Sequence, residues 1–282
     1  MSLQPDLGKP ISKAMTIAGS DSGAGAGIQA DLKTFAALGV YGTSVLTAIT
    51  AQNTRAVLAI AEVPEEVIAL QLDGVMEDIG TDAIKTGMLS SATIIETISE
   101  RLEAWGIPNL VVDPVMVAKS GDALLQATAI RALATKLLPL CLIVTPNIPE
   151  AEVLSKREIR SDVDAREAAR AISALGPRYV VIKGGHRGGE PVDVVFDGIA
   201  FVEFSTERVD TENTHGTGCT FSAAIAAYLA RGFSPLDAIG SAKEYLTGAL
   251  KASYRIGDGH SPVNHFHNVL INEPETFAIR RS

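Results

Sequence analysis

The stretch KAMTIAGSDSGAGAGIQADLKTFAALG, residues 13–39, decides how the rest of the chain is read. Its first seven residues, 13–19, form a short apolar run with the length of a buried strand. A polar, glycine-spaced loop follows, and AGIQADLKTFAALG then has helical spacing and closes at Gly39. A strand that passes through a glycine loop into a helix is the first half of a β-α-β unit, so the next question is whether the unit recurs.

It does recur. SVLTAIT (44–50), DAIKTG (82–87), NLVVDP (109–114), LIVTPN (142–147) and YVVIKGG (179–185) are apolar runs that end in polar residues or glycine. Helix-period segments lie between them. They include PEEVIALQLDGVMEDIG with Pro64 in its first turn, SATIIETISERLEAWG, ATAIRALATKLLP and DAREAARAISALG. This rhythm predicts an α/β fold of three layers, with a mostly parallel central sheet and helices on both faces. PVDVVFDGIAFVEFS interrupts it with two alternating runs around Asp197-Gly198, a hairpin signal. Two further helices are expected from Gly218 and from Pro235. No linker or repeat divides the chain, so residues 13–282 are expected to form one domain behind a loose tail over 1–12.

Composition narrows the function. Hydrophobic residues make up 46% of 282, enough for a large core, and aromatics only 5%, so small apolar side chains do most of the packing. The net charge is −9, with no basic stripe, which argues against a nucleic-acid partner. No apolar run reaches the length of a membrane span, no signal peptide is evident, and two cysteines make no disulfide framework. A cytoplasmic protein acting on a small molecule is the expectation.

In an open parallel sheet, ligands bind beyond the carboxyl ends of the strands. Those ends carry AGSDSGAGAG, TAQN, KTGM, DPVM, TPNIPE and KGGH. The first loop, Ser20–Gly27, matches neither a dinucleotide fingerprint nor a phosphate-binding P-loop. Asp113, with Asn147 and Glu150 in the pattern N-x-x-E, offers hard oxygen ligands for Mg²⁺, directly or through water. As plain structure, Asp113 reads as a helix N-cap and Glu150 as a first-turn acid. Lys183 ends a strand and can reach a phosphate. The tail histidines His260, His265 and His267 lack a paired Cys or Glu at ligand spacing, so packing or capping is expected of them.

The most specific signal is NTHGTGCTFSAAIAAYLARG, residues 213–232. Gly216 and Gly218 flank Thr217, and an apolar helix starts at once. Backbone N–H groups at a helix start suit an anion, and phosphoryl transfer needs that device. Cys219 lies in the first turn, where the dipole is expected to lower a thiol's pKa. Its plain alternative is a small buried hydrophobe.

HGTGC resembles the G-A-G-D element of ribokinase-like kinases, with Cys219 where the catalytic aspartate stands. Together with AGSDSGAGAGIQADLKTFAALGVYG, TAQNT, TGML, DPVMVAKSGD, TPNIPEA, KGGH and PVNHFH, it is similar to hydroxymethylpyrimidine/phosphomethylpyrimidine kinases of thiamine biosynthesis, in order from about Met15 to His267. The resemblance implies a ribokinase-like fold, ATP as co-substrate with Mg²⁺, and a homodimer. It also implies two phosphorylations, first of 4-amino-5-hydroxymethyl-2-methylpyrimidine and then of its monophosphate. Carried over, Gln52 binds the pyrimidine, and Gly19, Asp31, Met88 and Val115 line its pocket. Asp113, Asn147 and Glu150 belong to the ATP and Mg²⁺ side, with Asp113 and Glu150 toward the metal. Lys183 neutralises phosphate, Gly216, Thr217 and Gly218 form the anion hole, and Cys219 is the base. The first loop reads GAGAG where many relatives have a run of glycines, and Thr50 is Val in some relatives. A pyridoxal kinase of the same fold, or a pyrimidine sensor that lost turnover, are the alternatives.

Overall fold

The computed structural model describes residues 10–116, 126–186 and 190–269. Most of the tail expected over 1–12 therefore lies outside the described residues, as does part of the DPVMVAKSGD motif. Nine strands form one sheet in the order β3-β2-β1-β4-β5-β6-β7-β8-β9. They are β1 (Lys13–Asp21), β2 (Tyr41–Gln52), β3 (Val57–Glu62), β4 (Ala83–Thr86), β5 (Leu110–Val112), β6 (Ile143–Val144), β7 (Tyr179–Ile182), β8 (Val192–Phe196) and β9 (Phe201–Ser205). The core pairs, from β2 through β1 and β4 to β7, are parallel. Both edges end in antiparallel hairpins, β2–β3 and β7–β8–β9. The expected hairpin at Asp197-Gly198 is β8–β9. The one at β2–β3 was not anticipated: five of the six β3 residues are exposed, so no buried face leaves a period in the sequence.

The eight α-helices of the described residues are α1 (Gly27–Ala37), α2 (Glu65–Asp78), α3 (Ala92–Trp105), α4 (Ala127–Ala132), α5 (Ile148–Ser155), α6 (Asp162–Ser173), α7 (Thr217–Ala230) and α8 (Pro235–Lys251). They cover both faces of the sheet. Side chains alternate along each strand, and so divide into two cores. Met15, Ile17, Ile84, Val112 and Val144 pack with Ile68, Ile94 and Ile172 of α2, α3 and α6. Ala14, Ala83, Val111, Ile143 and Val181 pack with Phe35, Phe221 and Ile239 of α1, α7 and α8. The three-layer expectation holds.

Helix α7 is the centre of the second core. Ala223, Ala224, Ala226 and Ala227 are fully buried, so alanines surround most of this helix. A helix that is apolar all round belongs inside a protein. Its small side chains let it sit close beneath β1, β4 and β5, with α1 and α8 on its flanks. That close seat carries its N-terminus to the carboxyl edge of the sheet. The chain runs outward from β1 to β3, then returns to β4 on the other side of β1, so the strand order reverses between β1 and β4. The crevice there is the place where such sheets bind ligands.

Candidate active site

The first loop is built around Asp21. Its Oδ1 accepts from the Gly23 amide at 2.8 Å, and its Oδ2 from the amides of Gly25 and Ala26 at 3.0 and 2.8 Å. His215 Nε2 stands 3.1 Å from the same Oδ2. Burial works to raise the Asp21 pKa, but the bonds from His215, Ala26 and Gly23 outweigh it and hold the carboxyl below its usual value. Through this pair the first loop is docked on the loop that precedes α7. The docking leaves no room for side chains: a Cβ on Gly25 would lie 2.2 Å from the His215 ring. Gly216 has φ +76°, and a Cβ there would lie 1.8 Å from the Gly25 carbonyl oxygen. The glycines that read as conformational punctuation are therefore contact surfaces between two segments some 190 residues apart.

Gln52 lies beside this joint, at the end of β2. Its backbone exchanges hydrogen bonds with Ser22 Oγ, at 2.7 and 2.8 Å. Its side-chain amide is near Thr50 Oγ1 at 3.3 Å and His215 Nε2 at 3.5 Å. Gly19 and Met88 are neighbours, since a Cβ on Gly19 would strike Met88 Cε at 2.5 Å. Val115 is half-buried, beside a small cavity it lines with Gly87, Asp113 and Pro114. Asp31 is fully buried beneath. Its Oδ2 takes hydrogen bonds from Lys85 Nζ at 2.8 Å and Thr16 Oγ1 at 2.6 Å. Its Oδ1 has no hydrogen-bond partner among the described residues. Burial opposes the Lys85 charge, but the carboxylates of Asp31, which also accepts its hydrogen bond, and Asp113 overcome it and keep the ammonium ionised.

The far half of the site is ionic. Lys183 Nζ donates to Asp113 Oδ1 at 2.9 Å, and both are largely buried. Thr145 and Ser222 hydroxyls approach the same carboxylate at 3.3 and 3.4 Å. A Cβ on Gly218 would lie 3.4 Å from Lys183 Nζ and 3.5 Å from Asp113 Oδ2, so the ion pair faces the start of α7. Asn147 and Glu150 form a capping box on α5, with Asn147 N donating to Glu150 Oε2 at 2.8 Å and Glu150 N to Asn147 Oδ1 at 2.9 Å. The helix-acid reading of Glu150 is thus realised, whatever else the residue does. Burial pushes the Glu150 carboxyl up to about 7; Lys183 pulls it down and Asp113 pushes it further up. Lys183 is held charged: burial disfavours its ammonium, and Asp113 and Glu150 favour it. The N-cap role expected as the plain reading of Asp113 does not occur among the described residues, where Asp113 instead pairs with Lys183.

Cys219 stands between the halves. The expectation of a lowered thiol pKa is corrected here. Burial pushes the thiol up to about 11; Lys85 and the Gly27 amide pull it down, while Asp31 and Asp113 push it up. Desolvation and two nearby carboxylates outweigh one ammonium and one backbone amide. Among the tail histidines, His265 is buried against the Thr220 hydroxyl at 3.1 Å and His267 packs on the Tyr245 ring. No group of three or more metal-ligating side chains occurs among the described residues.

Most expected site residues therefore converge on one edge of the sheet. The residues that sequence reading missed are His215, Asp21 and Lys85. All lie inside motifs already singled out, but their partners are 54 to 194 positions away or face one another across strand ends.

With glycines at a helix start facing a buried lysine–carboxylate pair on the carboxyl edge of a mostly parallel sheet, the fold is that of ribokinase-like small-molecule kinases. The chain belongs to the phosphomethylpyrimidine kinase family, whose model matches residues 21–264. It is 52% identical over 258 residues to the hydroxymethylpyrimidine/phosphomethylpyrimidine kinase of Rhizobium meliloti, covering 90% of this chain and 97% of that one. It is also 52% identical over 257 residues to the thiamine biosynthesis bifunctional protein of Geobacter sulfurreducens, covering 91% of this chain but only 52% of that longer protein. Among solved structures, pyridoxal kinase from Staphylococcus aureus in complex with AMP-PCP and pyridoxal superposes with a TM-score of 0.85 at 40% identity, covering 93% of this chain and 96% of that one. No helix among the described residues is long and apolar enough to cross a membrane.

Proposed function

We propose that this kinase phosphorylates the 5-hydroxymethyl group of 4-amino-5-hydroxymethyl-2-methylpyrimidine with ATP, and then phosphorylates the monophosphate it has made. The observation that carries the reading is the meeting of three parts at the start of α7. Gln52 offers an amide to an aminopyrimidine edge on one side. Lys183 and Asp113 face Gly218 on the other. Cys219 stands between them, within the influence of Lys85 and the carboxylates. In this reading Gly19, Met88, Val115 and the free Oδ1 of Asp31 border the pyrimidine. The N–H groups of Gly216, Thr217 and Gly218 receive the transferring phosphoryl group, and Lys183 neutralises it. Cys219 accepts the alcohol proton, a task for which its thiolate is scarce at neutral pH.

Asp113 and Glu150 fit Mg²⁺ by their chemistry. They are buried hard-oxygen donors, and the Glu150 carboxyl is pushed up to about 7 first by burial and then by Asp113, against the pull of Lys183, so a cation beside it would favour its ionised form. A magnesium ion commonly takes one or two carboxylates and completes its shell with phosphate and water. When bound, it would supply charge neutralisation on the nucleotide phosphates.

The reading takes residues 13–282 as one domain, working in the cytoplasm as a homodimer. Ile49, Leu58 and Ile60 on the β2–β3 hairpin are 55%, 71% and 46% exposed, an apolar sheet edge that a second copy would cover. The deciding experiment is product analysis by mass after incubation with MgATP and the pyrimidine alcohol. Successive gain of two phosphoryl groups is expected. No gain, with turnover of pyridoxal instead, would overturn the reading.

A further inference from the structure

The hydrogen bonds around the Gln52 amide conflict as they stand. Thr50 is 6% exposed, and its hydroxyl has one proton. That proton goes to the Ser20 carbonyl oxygen, 2.8 Å from Thr50 Oγ1. Nothing is then left to donate to Gln52 Oε1 at 3.3 Å, and two oxygens with lone pairs face each other. The other end of the amide has the opposite trouble. His215 Nε2 lies 3.1 Å from Asp21 Oδ2, and a carboxylate that accepts from Gly25 and Ala26 needs a donor there, so Nε2 carries a proton. That leaves Gln52 Nε2, also a donor, facing N–H across 3.5 Å.

A half-turn of the amide exchanges O and N without changing its shape, so the hydrogen-bond network decides which way it stands. It resolves both conflicts together. The nitrogen then donates to the Thr50 lone pair, and the oxygen, in place of a second donor, faces the Nε2–H that His215 gives chiefly to Asp21, a weak shared contact at 3.5 Å. We infer that the Gln52 amide stands with its nitrogen toward Thr50 and its oxygen toward His215, and that Thr50, by accepting from that nitrogen, determines the specificity of the pocket.

The inference rests on the pyrimidine reading of Gln52 and deepens it. In this orientation the amide presents one free N–H on the Thr50 side and one free oxygen lone pair on the His215 side. Its partner is a heteroaromatic edge with an acceptor ring nitrogen beside a donor amine, in that order. A ring with an oxygen acceptor in the amine's place leaves Gln52 Oε1 facing another oxygen. Thr50 thus acts through Gln52, without touching the ligand itself. His215, held by Asp21, borders the other end, and both belong to the joint between the first loop and the loop before α7. The order of groups in the pocket is in this way tied to the seating of the loop where phosphate is bound.

The test is calorimetric titration of the full chain with 4-amino-5-hydroxymethyl-2-methylpyrimidine alone. Thr50→Val keeps shape and removes the acceptor, and should weaken binding about 3- to 10-fold, the worth of one hydrogen bond. Thr50→Ser keeps the hydroxyl and should bind as the parent does. In a Gln52→Leu background, Thr50→Val should cause no further loss, because the two residues act in series. An equal loss in that background would show that Thr50 acts through the Ser20 bond, and would overturn the inference. So would parental affinity in Thr50→Val. Parental affinity in Gln52→Leu would instead overturn the pyrimidine pocket itself, and the role of Thr50 with it.

Discussion

The two halves of the site are held together by different forces. At the ends of β1 and β2, hydrogen bonds to backbone amides and the contact of glycine against glycine set the geometry, and one carboxylate, Asp21, organises the loop. At the ends of β5, β6 and β7, the groups are the ion pair of Asp113 and Lys183 and, within reach of both charges, the buried carboxyl of Glu150. The first half has its shape before a ligand arrives. The second has an excess of negative charge, which a metal ion would relieve. The difference teaches that the pyrimidine side should respond to changes of shape and hydrogen bonding, and the nucleotide side to charge, pH and metal. Cys219 lies at the boundary and belongs to both.

The largest effect is expected at that boundary. Cys219→Ala should lower kcat by about 10²–10⁴-fold, the usual contribution of a positioned proton acceptor. Pyrimidine affinity should change far less. Single-turnover rates with titrations on the same protein would check both. Next comes Gln52→Leu, which should weaken pyrimidine binding by about 2 kcal/mol or more and leave the affinity for ATP nearly unchanged. If both affinities fell together, the two halves would not be separable in the way described.

Glu150→Gln probes the charged half in two ways. It should raise the Mg²⁺ concentration needed for half-maximal rate. It should also change the pH dependence of stability measured without metal. The Glu150 carboxyl titrates at about 7 in the folded protein, against an ordinary value near 4.5. The folded state therefore holds this proton more tightly, and stability falls as pH rises from 4.5 to 7. The penalty is complete above pH 7 and absent below 4.5. Because glutamine can still accept from the Asn147 amide, Glu150→Gln should melt higher than the parent at pH 8 and about the same at pH 4.5. A lower melting point at pH 8 would mean that the capping contact outweighs the buried charge.

The smallest effect is expected in the first loop. Ala24 has φ +60°, a left-handed conformation that costs a residue with a Cβ roughly 1–2 kcal/mol. Ala24→Gly relieves that strain but loosens the unfolded chain, so a net gain of at most about 1 kcal/mol in denaturant unfolding is the expected outcome.

The same contrast governs what could be read from the sequence. The parallel strands, the β8–β9 hairpin and the start of α7 were legible because each leaves a local signature: an apolar run, a turn dipeptide, or glycines before an alanine-rich helix. Strand β3 was not, because Val57–Glu62 buries almost nothing and so shows no alternation. Asp113, Lys183 and Cys219 stood out as chemical residue types at strand and helix ends. His215 was visible only as a neighbour of the glycines, since nothing local says that its ring rests on Gly25 and Asp21. Lys85 read as the end of a strand. Its value lies in Asp31, which faces it from α1 after a separation of 54 residues. The direction of the Cys219 pKa was misjudged for a related reason. The helix start is a local feature, whereas the burial and the two carboxylates that outweigh it come from the fold.

The central claim is that the Cys219 thiol, though burial pushes it up to about 11, is the proton acceptor for the alcohol. The most direct measurement is the pH dependence of the single-turnover rate from pH 6.5 to 9.5, for the parent and for Cys219→Asp. An aspartate is ionised throughout that range, with an ordinary pKa of about 3.9, so its profile should be nearly flat. The parental rate should climb with pH as the thiolate fraction grows. A flat parental profile, or a parental rate retained in Cys219→Ala, would contradict the account and leave the thiol a packing residue at the start of α7.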